Sequence, residues 1–449
     1  MTFARLRHGA SSGTNRHPRG SVKAVHELFT VLPPGEAFAT FSRGCSPIDG
    51  EETVSLEAAL GRVLAADVVA GETLPSFARS TMDGYAVRAG DTHGASEQSP
   101  AYLRVVGDVP TGTVPDVAVG RREAVRTHTG AMLPPGADAV VMVEDTNLHT
   151  GRSASGAEIE VLAAVAPGEN VLAIGEDVLA GATAVPAGRR LRAADAGGLA
   201  ALGVTAVTVR VRPRIAILST GDEVVPSAAT PGPAEVRDVN ATTVAAVVTA
   251  AGGIPVPLGV APDRADELER ALRDALDAAD AVVLSAGSSV SVRDLTAQVV
   301  ARLGSPGVLV HGIAIKPGKP TVLAICDGKP VVGLPGNPVS ALVVAWRIVR
   351  PLVRLLGGER VGPSTGSGQA WADEREVDAV LDVPVPSRPG REDFVPCALA
   401  RDADGVLHAT PLFGSSNLIF TLVRADALIA VPLDRSGLGA GETVRVVVP

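Results

Sequence analysis

Between residues 214 and 357 short apolar runs alternate with helical patterns, and this alternation restricts the fold more than any other feature of the chain. RIAILST (214–220), IPVPLGV (254–260), AVVLSAG (281–287), VLVHGIAI (308–315), TVLAI (321–325) and VVGLPG (331–336) read as strands. Three stretches between and after them read as helices. NATTVAAVVTAAGG (240–253) starts with Asn240 as its expected N-cap. DRADELERALRDALDAAD (263–280) carries Leu268, Leu272 and Leu276 on one stripe. PVSALVVAWRIVRPLVRLL (338–356) has Asn337 as N-cap and Pro338 at its first position. Strands alternating with helices imply a mostly parallel, doubly wound α/β sheet. Ligands of such sheets bind beyond the carboxyl ends of the strands.

Other textures flank this part. SVKAVHELFTVL (21–32) and LEAALGRVLAADV (56–68) show helical spacing. From 73 to 170 short strands alternate with Gly, Pro and Asp turns, with YAVRAG, AYLRVVG, EAVRTHTG and DAVVMVED as strands and RSASGAE (152–158) as a loop. GLAALGVTAVTVRVRPR (198–214) ends in the alternation Val207, Val209, Val211. VGPSTGSGQ (361–369) reads as a linker, and the stretch after it as a small all-β unit. At roughly 150 residues per domain, 449 residues suggest about three domains. Residues 1–21, basic and without an acid, are expected to be a disordered tail.

Composition removes several function classes. The net charge of −9 argues against holding nucleic acid by phosphate neutralisation, and 3% aromatics leave few stacking platforms for single strands. Cys45, Cys326 and Cys397 are too few and too far apart for a disulfide scaffold or a zinc ribbon. The uncharged run 241–262 is broken by GGIPVP, so no membrane span is expected. No apolar leader segment is visible, and the expected location is the cytoplasm.

The chemistry is concentrated in a few loops. ILSTGDEVV ends a strand in Ser219, Thr220 and Gly221, followed by Asp222 and Glu223. Hydroxyls and a glycine amide can hold a phosphate there, and acids beside them suit a divalent cation or a ribose. A helix N-cap with acids favouring the dipole explains the same residues, so this stretch alone leaves both readings open. LSAGSSVSVRD repeats the logic with Ser285, Gly287 and Ser289 as an anion-binding concavity and Asp294 as a cation ligand. Asp263, just before the 264–280 helix, reads as a helix cap on its own. IKPGKPTV presents Lys316 and Lys319 from a proline-fixed turn, and a doubly charged oxyanion is their natural ligand. GLPGNPVS delivers Asn337 and Ser340 to a helix N-terminus, itself an anion site. Arg391 in RPGREDFV and Ser415 in LFGSSNL complete this set. Asp83 in TMDGY and Thr129 in THTGA read as turn residues when taken singly. Taken together, the residues point to phosphate-ester or nucleotide handling with Mg²⁺.

LPSFARSTMDGYAV, THTGAMLPPGADAVVMVED, GEN…GEDV, STGDEVV, IKPGKP, GLPGNPVSA, GRxxF and the final GSS occur in the order seen in one family. From about residue 22 to the end the chain resembles the molybdopterin molybdenumtransferases of the MoeA family and the equivalent domain of gephyrin. The resemblance implies an elongated, four-part homodimer. Residues 22–72 with 171–212 would be the helical and β dimerising part, 73–170 an inserted β lobe, 213–360 the molybdopterin- and nucleotide-binding α/β domain, and 361–449 a C-terminal β barrel. It implies Mg²⁺-dependent insertion of molybdate into adenylylated molybdopterin, with release of AMP. Asp263 and Asp294 would face the metal and nucleotide, with Asp222 and Glu223 beside them. Lys319, Ser340, Arg391 and Ser415 would hold molybdate, with Lys316 in the same basic loop and Asn337 among the cofactor-binding residues. Asp83, Thr129 and Asp177 would complete the site across the dimer. A molybdopterin adenylyltransferase and apo-molybdoenzymes are the implied partners. A tungstate-inserting variant and a non-catalytic molybdopterin-binding scaffold are the alternatives. The chain departs from the family pattern at Ala286, Ser288 and Ser291, at Leu172, and at Ala78.

Overall fold

The computed structural model of the protein describes residues 31–153, 156–286, 290–360 and 375–448. The basic tail 1–21, most of the helix expected over 21–32 and the linker 361–369 lie outside them.

Alternation in 214–357 resolves into a six-stranded sheet ordered Ile254–Ala261, Arg214–Thr220, Ala281–Ser285, Lys329–Leu334, Val322–Cys326, Pro306–His311. The first three pairings are parallel and the last two antiparallel. Period-two alternation decides which face each side chain enters. Ile215, Ile217 and Val283 point toward the helices Asn240–Ala250 and Pro338–Val344. Ala216, Leu218, Val282 and Leu284 point toward Ala265–Ala278 and Val290–Val300. The sheet is therefore doubly wound, as expected.

The long helix near its end holds a π turn at Ala345–Val349 before continuing as Arg350–Leu356. This wide turn precedes Pro351, which has no N–H and whose ring would crowd the carbonyl four residues back in a regular helix. It leaves Arg347 buried, its guanidinium 4.8 Å from the centre of the Phe394 ring.

Near the start one helical expectation is corrected, and the other lies mostly outside the described residues. Leu32 is bridged to Ile313, and the first described helix is Pro34–Ser42. Its Ala37, Phe38 and Phe41 enter the same core as Ile313 and Ile325. The stretch 56–68 is not a helix. It is a 3₁₀ turn at Glu57–Ala59, isolated bridges at Val63 and Leu64, and a strand at Val68–Val69. Gly61 takes φ +73 and ends the turn, and Leu64 is buried by neighbouring strands instead of by a helix face.

A second six-stranded sheet occupies 84–161, ordered Ala139–Met142, Gly84–Val87, Glu123–Thr127, Ala101–Val109, Gly156–Val161, Thr146–Ser153. The loop expected over 152–158 is mostly the ends of a hairpin's two strands, and only 154–155 fall outside the described residues. Three two-stranded antiparallel ribbons join this sheet to the rest. They pair Glu51–Ser55 with Ala206–Arg210, Val68–Val69 with Thr183–Val185, and Arg79–Ser80 with Val171–Leu172. Arg190 and Arg212, beyond the ribbons, donate to the carbonyls of Ala250, Ala251, Gly252 and Gly253 at the end of the helix Asn240–Ala250. Cations there also match the negative end of the helix dipole.

The last sheet closes on itself. Glu392–Arg401 pairs with both Leu407–Pro411 and Ala427–Val431, and Arg375–Leu381 and Thr443–Val448 complete a five-stranded barrel. Closure leaves no free edge. One further strand is added: Ile315–Lys316, from the α/β part, runs parallel to the start of Glu392–Arg401.

Candidate active site

At the carboxyl edge of the parallel strands, alternation sends Ser219 and Thr220 to opposite faces. The Thr220 hydroxyl donates to Asp263, whose own N–H donates to Asp222 Oδ1 at 3.3 Å. The helix Ala265–Ala278 starts from Arg264 with no side-chain cap, so Asp263 is not the cap it resembles in sequence. It faces the STGDE loop, and Asp222 and Glu223 stay exposed beside it.

On the other face, Ser219 and Ser285 are register partners, and both are buried. Asn240, expected to be an N-cap, has another role. Asp238 Oδ1 accepts the Ala241 N–H at 3.0 Å and does the capping. The Asn240 amide donates instead to Ser285 Oγ at 2.7 Å and to the Gly336 carbonyl at 2.9 Å. Gly287 and Ser289 lie outside the described residues; Asp294 is in the helix Val290–Val300, its side chain outside them too.

The second half of the site lies where the barrel meets the α/β part. Lys316 is paired by strand register with Asp393. Asp393, only 2% exposed, accepts two hydrogen bonds from Arg391, at 2.8 and 3.2 Å, and lies 3.8 Å from Lys316 Nζ. Two of the expected cations are thus gathered by one buried acid that sequence reasoning passed over. Its one available signal was its place two residues after Arg391.

Lys319 is exposed on the same turn, and its carbonyl accepts from Ile313 N. Gly318 takes φ +127, and a side chain there would press within 2.5 Å of Val344 Cγ2. Glycine therefore lets the basic turn lie on the helix that carries the buried Ser340. Asn337 Nδ2 donates to Ser416 Oγ at 2.8 Å, and Val339 N donates to the Ser416 carbonyl. The GSS loop so covers the start of that helix, with Ser415 exposed next to it and bonded to Asn417.

The structure brings together Asp83 and Thr129 on the lobe. Asp83 Oδ1 accepts the Thr129 N–H at 2.8 Å and its hydroxyl at 3.2 Å. That backbone donor, more than any other neighbour, holds the Asp83 carboxyl below the usual carboxylate range. Gly84 next to it is obligatory by space: a Cβ would lie 2.0 Å from the Val141 carbonyl oxygen. His128 adds a contact to Asp108 at 3.1 Å. Asp177 sits apart, exposed on the connecting segment, its N–H donating to the Leu74 carbonyl.

Thiol chemistry is disfavoured, because burial pushes Cys45 and Cys397 up to about 12 and Cys326 to about 11. Among the described residues no group of three His, Cys, Asp or Glu side chains is placed to hold a metal ion. Mg²⁺ does not need one, since it commonly uses one or two carboxylates, water and substrate phosphates. The oxygen donors Asp263 and Asp222 fit that demand. Among the described residues no helix is long and apolar enough to cross a membrane.

Three family models match the chain in order. The MoeA N-terminal region (domains I and II) matches residues 32–203, a probable molybdopterin-binding domain 216–355, and the MoeA C-terminal region (domain IV) 378–448. A molybdopterin molybdenumtransferase of Nostoc is 34% identical over 400 residues, covering 88% of each chain. Molybdopterin molybdenumtransferase 2 of Mycobacterium tuberculosis is 34% identical over 413 residues, covering 91% of this chain and 96% of its own. A crystal structure of a molybdopterin biosynthesis MoeA protein from Pyrococcus horikoshii OT3 superposes with a TM-score of 0.75 at 30% identity, covering 93% of this chain and all of the other.

Proposed function

The chain belongs to the MoeA family, and from that premise we propose that it is a molybdopterin molybdenumtransferase that inserts molybdate into adenylylated molybdopterin and releases AMP. The observation that carries this reading is the pairing of two unlike half-sites on one fold. One is an acidic, hydroxyl-lined edge at Thr220 and Asp263, and the other a basic seam at Lys316, Lys319 and Arg391. A phosphoanhydride with a divalent cation suits the first, and a tetrahedral dianion suits the second.

Asp263, with Asp222 beside it and Asp294 from the neighbouring helix, would hold Mg²⁺. Bound there, the ion would neutralise the phosphoanhydride. Thr220 keeps Asp263 turned toward the loop. Ser219, Gly221 and Ser285, with Gly287 and Ser289, would line the nucleotide and pterin. Arg391 and Lys316, steadied by Asp393, with Lys319 free to reach inward, would orient molybdate against the substrate. Ser340, Asn337 and Ser415 would close round it. Fixing both reactants in one geometry would supply much of the acceleration. Residues 22–72 and 171–212 would form the dimer contact, and Asp83, Thr129 and Asp177 would reach the partner's cleft. We place the protein in the cytoplasm, acting between an adenylyltransferase and apo-molybdoenzymes.

The test is incubation of the purified protein with adenylylated molybdopterin, Mg²⁺ and either molybdate or tungstate. AMP release that depends on molybdate, with cofactor able to reconstitute an apo-enzyme, is the expected result. Release with tungstate alone would change the metal; nucleotide binding without release under either oxyanion would leave a scaffold.

A further inference from the structure

The side chain of Asn240 stands between the two half-sites and belongs to neither. It lies at the first turn of the helix Asn240–Ala250, on the face of the sheet that also receives Ser219 and Ser285. Its amide nitrogen makes both of the bonds it can make. One goes to Ser285 Oγ at the end of a central strand, the other to the Gly336 carbonyl in the loop before the helix Pro338–Val344. The Gly336 oxygen can only accept, so the amide's orientation is fixed. Among the described residues its own oxygen is then left buried without a hydrogen-bond partner, as is the Ser219 hydroxyl on the next strand. An unpaired buried acceptor is a cost to folding. The cost is borne for the two donors, which tie the end of one strand to the loop before another helix.

What they serve is read from the next bonds along. Gly336 is followed by Asn337, which donates to Ser416 Oγ, and Val339 N donates to the Ser416 carbonyl. A continuous line of side-chain and backbone bonds runs from Ser285, at the nucleotide edge, to the barrel loop over the oxyanion seam. We propose that Asn240 is a positioning residue that couples the two half-sites, so that a nucleotide at one edge tightens the hold on an oxyanion at the other. The coupling follows from shared ordering. A ligand that fixes Ser285 also fixes, through Asn240, the loop 335–337, and the second ligand finds that loop already placed. By linkage the effect is reciprocal. This inference rests on the transferase reading for the identity of the two ligands.

The experiment is calorimetric titration of the full-length protein with sodium molybdate, with and without saturating AMP and Mg²⁺, and then in the reverse order. In the natural protein AMP should tighten molybdate binding by about tenfold, and molybdate should tighten AMP by the same factor. In Asn240→Ala each ligand alone should bind within about twofold of the natural affinity, while the coupling factor falls to about one. Hydrogen exchange of residues 336–339 should slow on AMP binding in the natural protein and not in the variant. Ser416→Ala, on a surface loop, removes the side-chain bond at the far end of the same line and should lower the coupling even if Asn240→Ala folds poorly. Independent binding of the two ligands in the natural protein would overturn the inference alone, as would undiminished coupling in the variants. Binding of neither ligand would overturn the transferase reading with it.

Discussion

At the sheet edge an acid is held by a neutral donor: the Asp263 carboxylate by the Thr220 hydroxyl, while its own N–H donates to Asp222. At the barrel seam cations are held by an acid: Arg391 and Lys316 by Asp393. Asp393 is almost wholly buried, while Lys316 keeps 60% of its side chain in solvent. The sign that each half shows to a ligand is therefore set by what is left exposed. The first half offers carboxylate to a cation. The second hides its carboxylate and offers what remains of three positive charges, enough for a dianion.

The strongest way to break this contrast is at Asp263, the half-buried acid of the first half. Asp263→Ala should lower AMP release on the order of 1,000-fold, read in single turnover with Mg²⁺ varied. Next comes the hidden acid of the second. Asp393→Asn should destabilise the protein by about 1–2 kcal/mol, because Arg391 loses its charge-assisted bonds and a buried amide takes the place of their acceptor, and urea melts would show it. A loss of stability at Asp263 of similar size would erase the distinction between the halves. Arg391→Ala should raise the molybdate concentration needed for half-maximal rate by about tenfold or more, while AMP affinity is unchanged. Thr220→Val, which leaves Asp263 in place but unheld, should cost roughly tenfold in turnover, a fraction of what Asp263→Ala costs.

The smallest effect sharpens the comparison by removing burial from it. His408 on the barrel is held between Asp382, at 2.7 Å, and Asp402, at 3.3 Å, all partly exposed. The Asp382 hydrogen bond, first among its neighbours, raises the imidazole above its ordinary value of 6.5. A group whose folded value is raised adds stability below its unfolded value and loses that addition as pH rises through the folded one. The melting temperature of the natural protein should therefore exceed that of His408→Gln by a small margin at pH 6, and the margin should shrink toward pH 8. The carboxylates, held low, lose their part only toward acid pH and leave this window untouched.

Much of the α/β part was legible because its central strands are buried on both faces and therefore read as unbroken apolar runs. The stretch 56–68 misled because apolar residues at helical spacing also occur where strands and a turn share one small core. Spacing does not reveal Gly61 at positive φ. The pair Asp263 and Asn240 shows the limit of local reasoning at the site. Both stand near the start of a helix, where capping is the cheapest explanation, and in both the partner that overrides it is distant in sequence: Thr220 for one, Ser285 and Gly336 for the other. Asp393 was illegible for a different reason. An acid between Arg391 and a phenylalanine looks like a solvated charge until the strand Ile315–Lys316 is laid beside it.

That short strand has a consequence for how the molecule can vary. The barrel is a closed ring whose staves fix one another's register, and Ile315–Lys316 is clipped onto one of them. A single inserted residue early in Glu392–Arg401 would exchange the inner and outer faces of that stave. In the same movement it would bring a neighbour of Asp393 opposite Lys316. The barrel therefore cannot drift, or be exchanged for a relative's, as an independent module. It acts as a gauge against which the basic turn is set, and length changes in the chain must accumulate elsewhere, in its turns and in the linker before it.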